Sequence, residues 1–378
     1  MLRLTLITLI TLLAAPAGAI EYVTIVRDGK THHVQGEILV TAKDGGMMLA
    51  TANGQRWLIE PKEITRRNHD DKPFIPLTTK AMAEDMLGRL PRSFRAHKTA
   101  HYVICYDTSE TYARWCGALL ERLYRSFENY WTRKKVPLTK PRFPLVVVVC
   151  GTRAAYEPLV RDDLGGAGAK IVGYYNLKTN RIMMRDLTGI EALRGARGQR
   201  ITMSHINAML SRPRAQQMVA TVIHEATHQI AYNRGLHQRL SDIPFWVAEG
   251  LALYFETPDL RSSKGWSTIG KVNRSRLIQF RRYLRKRPRE SLLTLITADT
   301  RFRDPKQVLD TYAESWALTY YLMRIKPKQY QAYLKVLAQK KPLIWDTPED
   351  RLEQFKKAFG SDLAKFDKDW LKYVRKIR

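Results

Sequence analysis

An α+β protein with a small antiparallel barrel in front and helices behind is what this chain of 378 residues predicts, on three observations. Short β-rich runs broken by turn dipeptides fill the segment up to residue 65. From His101 onward strands alternate with a long helical pattern, and beyond residue 270 apolar residues recur at helical spacing to the end.

The first stretch, MLRLTLITLITLLAAPAGAIEY, has Arg3 in a short n-region, an apolar run from Leu4 to Leu13, and Ala17-Gly18-Ala19 as a small-residue cleavage site. That is the pattern of a secretory signal peptide over residues 1–19. The run falls short of the roughly 20 apolar residues of a spanning helix, and Pro16 interrupts it, which disfavours an uncleaved anchor. The expectation is a periplasmic or secreted protein with no transmembrane segment after cleavage.

Residues 20–65 follow as β-rich runs separated by DGK, KDGG and NGQ, strong hairpin-turn sequences, and the segment resembles an SH3-like barrel, which carries no catalytic implication. His32 and His33 lie in one of its strands and read as surface residues. Residues 66–97 are polar and proline-bearing, a linker with one weak helical stretch near Ala81 to Leu90. Over 98–270 the order is strand (HYVICY), helix (about Ser109 to Trp131), strand (PLVVVVC), then a glycine loop, DDLGGAGAK, that lacks the Lys-Ser/Thr ending of a phosphate loop. IVGYYNL and RIMMRD come next as two strands turning at KTN. Residues 271–378 form a helical region, with TYAESWALTYYLMRI and LAKFDKDWLKYVRKI as its amphipathic stretches.

A hydrophobic content of 44% is enough for a real core, and the net charge of +28 narrows the partners. In the cytosol such a charge would point first to nucleic acid. Outside it, acidic wall polymers of the cell envelope, anionic lipid headgroups or acidic proteins fit better, and nucleic acid is disfavoured. The densest run, RSRLIQFRRYLRKRPRE, reads either as an amphipathic helix with a solvated basic face or as a dedicated anion site. Three cysteines, Cys105, Cys116 and Cys150, permit at most one intramolecular disulfide. They read as buried small residues, because their spacing suits neither a zinc ribbon nor a Cys-His pair.

The chemistry lies in TVIHEATHQIAYN, residues 221–233. Val222, Ile223, Ala226, Ile230 and Ala231 give the segment a helical period, so His224 and His228, at i and i+4, share a face where two imidazoles can grip one metal ion. Glu225 lies about one hundred degrees round the helix, within reach of a metal-bound water without competing for the metal. A catalytic zinc normally takes three protein ligands and leaves a fourth position to water. Downstream, IPFWVAEGLALYFETPDL offers Glu249 on what reads as a second buried helix.

This arrangement resembles the gluzincin metallopeptidases, in which an HExxH helix is followed by a helix donating a glutamate as third ligand. FWVAEGLALYFE is most similar to the peptidase-MA-like proteins of that group. AHYVICYDTS, YWTRKKVP, GYYNLKTNRIMM, HINAMLSRP and YAESWALTYYL resemble an uncharacterised family of secreted bacterial proteins in the same clan, over most of residues 95–375. The resemblance implies a zinc-dependent peptidase fold with Zn2+ on His224, His228 and Glu249, Glu225 as general base, and a peptide or protein substrate. It also implies a substrate-pairing edge strand, which would place Tyr174, Tyr175 and Asn176 along the cleft if they do not simply form a hairpin packed on the core. Tyr312, starting a helix behind the cleft, is either the oxyanion donor or a half-buried aromatic. Thermolysin-type gluzincins carry an aspartate four residues after the glutamate ligand, where this chain has Leu253. Glu256, at i+7 from Glu249, is then either the acceptor behind a zinc histidine or a solvated acid. Two other readings stand beside the peptidase: a non-catalytic zinc-containing binding or scaffolding protein on an anionic envelope polymer, and a purely structural helix pair without metal.

Overall fold

The computed structural model describes residues 19–165, 171–188, 202–210, 212–257, 266 and 268–378. The expected leader, Ala19 apart, and the glycine loop beyond Gly165 lie outside those residues.

The N-terminal sheet is antiparallel throughout, from β1 (Ile20–Arg27), β2 (Lys30–Thr41), β3 (Met47–Thr51), β4 (Arg56–Ile59) and, after a 3-10 turn at Pro61–Glu63, β5 (Ile64–Asp70). Its first hairpin turns at Asp28-Gly29, both at positive φ (51° and 73°), the backbone that a tight two-residue hairpin requires and that Asp-Gly accepts. Val23, Ile25, Val34, Met47, Leu49 and Ile59 form its core. The strand order is β4-β3-β2-β1-β5, so among the described residues the barrel does not close. The start of β4 is engaged elsewhere: the Arg56 N–H donates to Lys178 O at 2.7 Å, on the second sheet. β5 also runs past the expected boundary at residue 65. It is polar and largely exposed, held by its ladder to β1 and by an Arg67–Glu21 ion pair at 2.9 Å, so no apolar alternation marks it. His33 is exposed, and His32 lies half-buried 5.5 Å from the Trp57 ring.

Helix α1 (Thr79–Arg89) occupies most of the weak helical stretch in the expected linker, with Thr78 accepting from the Ala81 N–H as its cap. Then come β6 (Arg95–Lys98), β7 (Tyr102–Tyr106), α2 (Glu110–Arg133), β8 (Leu145–Cys150), α3 (Arg153–Leu164), β9 (Gly173–Asn176) and β10 (Arg181–Arg185). They build a mixed sheet of order β6-β7-β8-β10-β9, parallel in its middle and antiparallel at both edges. The central strands bury both faces, so they read as continuous apolar runs such as LVVVVC. Val103, Cys105, Val146 and Val148 face α1 and α3, whereas Ile104, Val147, Ile182 and Met184 face the main core. All three cysteines are buried and free, and burial pushes the Cys105 thiol up to about 12.

The helical part comprises α4 (Met203–Leu210), α5 (Pro213–Asn233), α6 (Phe245–Phe255), α7 (Arg274–Tyr283), α8 (Ser291–Thr297), α9 (Val308–Ile325), α10 (Pro327–Ala338), α11 (Pro348–Phe359) and α12 (Leu363–Arg375). α9 is its axis: from Asp310 to Met323 every residue except Tyr312 is buried. Glu314, fully buried on α9, accepts from Arg287 Nε and Arg301 Nη2, each at 2.7 Å, and from Ser291 Oγ at 2.8 Å. Arg287 also reaches Asp367 on α12. α7, the core of the densest basic run, buries Leu277, Phe280 and Tyr283 and leaves Arg281 and Arg282 exposed. Among the described residues no helix is long and apolar enough to cross a membrane.

Candidate metal centre

α5 lies on the main-core face of the mixed sheet through Val219, Val222, Ile223, Ala226 and Ile230. Polar bonds tether it as well: Gln229 Nε2 donates to Val146 O (3.0 Å) and Asn180 O (2.9 Å), and Asn233 Nδ2 donates to Asn180 Oδ1 (2.7 Å). The face turned away from the sheet carries His224 and His228, their ring centroids 4.8 Å apart.

α6 brings Glu249 to them, and its approach depends on Gly250. A Cβ at Gly250 would lie 2.1 Å from Thr319 Oγ1 and 2.8 Å from Ser315 O, so only glycine lets α6 sit this close to α9. Glu249 Oε2 is 3.0 Å from His224 Nε2 and 3.5 Å from His228 Nε2, and the two Nε2 atoms are 3.1 Å apart. The three residues form a group able to hold a metal, each offering one ligand atom and all of these within 4.8 Å of one another. Donors about 2.0–2.1 Å from a tetrahedral centre are separated by roughly 3.3 Å, and the three observed spacings bracket that value.

The electrostatics favour a cation. Burial works against charge on His224, yet hydrogen bonds to Glu249 and Glu256 hold its imidazole up to about 10. Burial would raise the Glu249 carboxyl, but His228 and His224 keep it well below the usual carboxylate range. A divalent ion at the three donors would take over the role that the proton on His224 otherwise plays.

Around this group, Glu256 Oε2 meets His224 Nδ1 at 3.0 Å, orienting the ring from behind. Glu256 is itself held by Asn273 Nδ2 at 2.7 Å, with Arg276 Nε at 3.5 Å. Asn273 is one residue that sequence reasoning passed over. Its Oδ1 caps α7 by accepting from the Arg276 N–H, so an N-cap residue before a helical run was its visible mark. Replacing Glu256 by alanine is expected to weaken metal binding about 10- to 100-fold, the usual consequence of removing the acceptor behind a ligating histidine. Competition with a chromogenic chelator measures it, and an unchanged affinity would assign Glu256 to packing alone.

Glu225 Oε2 accepts the Tyr175 N–H at 2.8 Å, and burial raises its carboxyl above the usual range despite the nearby histidines. The Tyr312 ring lies 6.5 Å from that of His224, on the side where Glu249 stands. The charge of Glu249, and then burial, push the Tyr312 phenol far above its ordinary value, so it stays a donor.

The three residues expected along the cleft part company. β9 is an edge strand, and Tyr175 reaches the centre through its backbone N–H. The Tyr175 hydroxyl turns to Asn180 Oδ1 at 2.7 Å. Tyr174 points to the opposite face of the sheet, where its hydroxyl donates to Asp163. Asn176 closes the β9–β10 turn, its Oδ1 accepting the Lys178 and Thr179 N–H groups. Alternation along a strand forces this split, since neighbouring side chains cannot share a face. Tyr232, one helical turn beyond His228, and His237, whose ring is 5.2 Å from that of Tyr232, also stand beside the centre. His237 is buried and burial pulls its imidazole down to about 3, so it is neutral.

Among curated proteins none matches the chain. Residues 218–344, from within α5 to just past α10, match the family described as "Protein of unknown function (DUF1570)", a match that takes in both histidines, Glu225, Glu249, Glu256 and Tyr312.

Proposed function

We propose that this protein is an exported zinc metallopeptidase of gluzincin type that hydrolyses peptide bonds. The observation that carries the reading is the convergence of His224 Nε2, His228 Nε2 and a Glu249 oxygen beside the half-buried carboxylate of Glu225. Zn2+ held there would supply Lewis acidity toward the scissile carbonyl and lower the pKa of a bound water to roughly 7. Glu225 takes the proton of the attacking water and returns it to the leaving amine, and its raised carboxyl pKa suits both transfers. Tyr312 donates toward the oxyanion from α9, its ring 6.5 Å from that of His224. Glu256 and Asn273 keep His224 in place. β9, an edge strand whose Tyr175 N–H Glu225 holds, is placed to pair with an extended peptide by strand addition.

A peptide-library digest by the zinc-loaded protein, with and without a chelator, tests the reading. Cleavage lost to the chelator and restored by zinc supports it. Zinc bound at about one per chain with no library member cut would instead favour a non-catalytic zinc protein, whose attachment the charge of +28 suits. Export, with an SH3-like module at the front of the mature chain, implies an N-terminus near Ile20, the first residue of β1. N-terminal sequencing of protein recovered outside the cytoplasm checks it, and recovery of Met1 on a membrane-bound form would replace cleavage with anchoring.

A further inference from the structure

Beside the metal centre, where the N-terminal sheet meets the second sheet, lies a cavity of about 160 Å³ with an unbalanced lining. Arg56, Arg239, Lys140 and Arg142 contribute to it, against one carboxylate, Glu37. Glu37 is already taken, because its Oε2 accepts from Arg142 Nη2 at 2.8 Å. Arg239 is only 4% exposed and meets backbone carbonyls alone, Gly54 O at 3.0 Å and Leu177 O at 3.4 Å. Arg56 Nη1 donates to Arg239 O, and Arg56 Nε is buried without a partner. Among the described residues neither guanidinium forms an ion pair. Burial, and next the like charge of Arg239, pull the Arg56 guanidinium below its ordinary value. A buried guanidinium beside a half-buried one, with no counter-charge, is costly, and an arginine fork is shaped for planar oxyanions.

The place of this cavity relates it to the metal centre. Tyr232 lines it and sits four residues after His228 on α5, about 6 Å along the helix axis. The turn after β9 closes the other side, through Leu177 O on Arg239 and Lys178 O on the Arg56 N–H. The cavity therefore lies at the end of the edge strand that the proposed substrate would follow. It has room for a carboxylate or phosphate group but not for a second chain.

We propose that Arg56 and Arg239, with Lys140 at the mouth, form a binding site for an anionic oxygen group, a carboxylate or phosphate, carried by the substrate of the metal centre. The word substrate rests on the peptidase reading, whereas anion binding does not. The cavity would thus select substrates bearing an acidic group a short distance from the bond presented to Glu225.

Two binding measurements on the full chain test this without turnover. In the first, inorganic phosphate is titrated calorimetrically at ionic strength held constant with chloride. Saturable binding is expected, weakened about tenfold in Arg56→Gln, as loss of one charge-assisted contact implies, and weakened also in Lys140→Gln, where an exposed side chain can be changed without disturbing the fold. No phosphate binding beyond chloride, or equal binding by parent and Lys140→Gln with Arg56→Gln unfolded, overturns the site. In the second, an acidic peptide and its neutral amide counterpart are bound to zinc-loaded Glu225→Gln protein. Tighter binding of the acidic peptide, reduced by phosphate, supports the substrate's own group as the occupant. Phosphate binding that leaves both peptides unaffected would overturn that assignment and make the cavity a site for a free anion.

Discussion

Glu225→Gln is expected to keep zinc in place and slow peptide hydrolysis on the order of a hundredfold or more, since general-base catalysis contributes typically 10²–10⁴-fold. The substitution is nearly isosteric. A glutamine oxygen can still accept the Tyr175 N–H that Glu225 accepts at 2.8 Å, so the helix and edge strand stay in register. What disappears is a group able to take a proton from water. Glu249→Gln separates the roles, because it replaces an anionic donor in the ligand group and should lower metal affinity itself. Steady-state cleavage together with metal analysis of both variants decides the matter, and a Glu225→Gln protein as fast as its parent would sink the mechanism.

Glu314→Ala should destabilise the fold by about 3–5 kcal/mol, the usual consequence of breaking a buried ion pair from one side. Glu314 is fully buried between Arg287 and Arg301, whose guanidiniums are themselves nearly inaccessible. Arg287 keeps Asp367, but Arg301 would be left with Tyr283 and backbone or hydroxyl oxygens around Ser291 and Thr294. Denaturant unfolding at neutral pH measures the loss. A change under about 1 kcal/mol would mean that water enters and takes over the carboxylate's bonds.

The parts of this molecule that could be read in advance are those where a local period meets a chemical requirement. His224, Glu225 and His228 stand at helical spacing on one element, and Glu249 follows on a segment too apolar to be anything but buried. Glu256 was visible as an acid seven residues on, and its bond to His224 needs only the geometry of one helix face. Other features depend on partners far away in the chain. Asn273 and Arg276 converge on Glu256 from α7, and Arg56 meets Arg239 across 183 positions. Nothing within a window of a dozen residues encodes such meetings. Tyr174 and Asn176 looked equivalent to Tyr175 because the adjacency is plain in the letters and the alternation appears only once the strand's pairing is known. The unclosed N-terminal sheet belongs to the same class: its hairpins follow from turn residues, whereas its closure depends on what the ends of β4 and β5 meet.

Gly250 bears on more than the position of one carboxylate. It seats α6 against α9, among the C-terminal helices, while Gln229 and Asn233 bind α5 to the sheet. The ligand group therefore straddles a seam, with two donors riding on one side and the third on the other. An ion gripped by all three acts as a rivet, and its binding energy resists any breathing that would separate the two sides. At a free concentration one hundred times the dissociation constant that resistance amounts to about 2.7 kcal/mol. Slowed amide exchange at the α5–α6 contact in the loaded protein would reveal it, with the β1–β5 ladder of the N-terminal sheet as the internal reference.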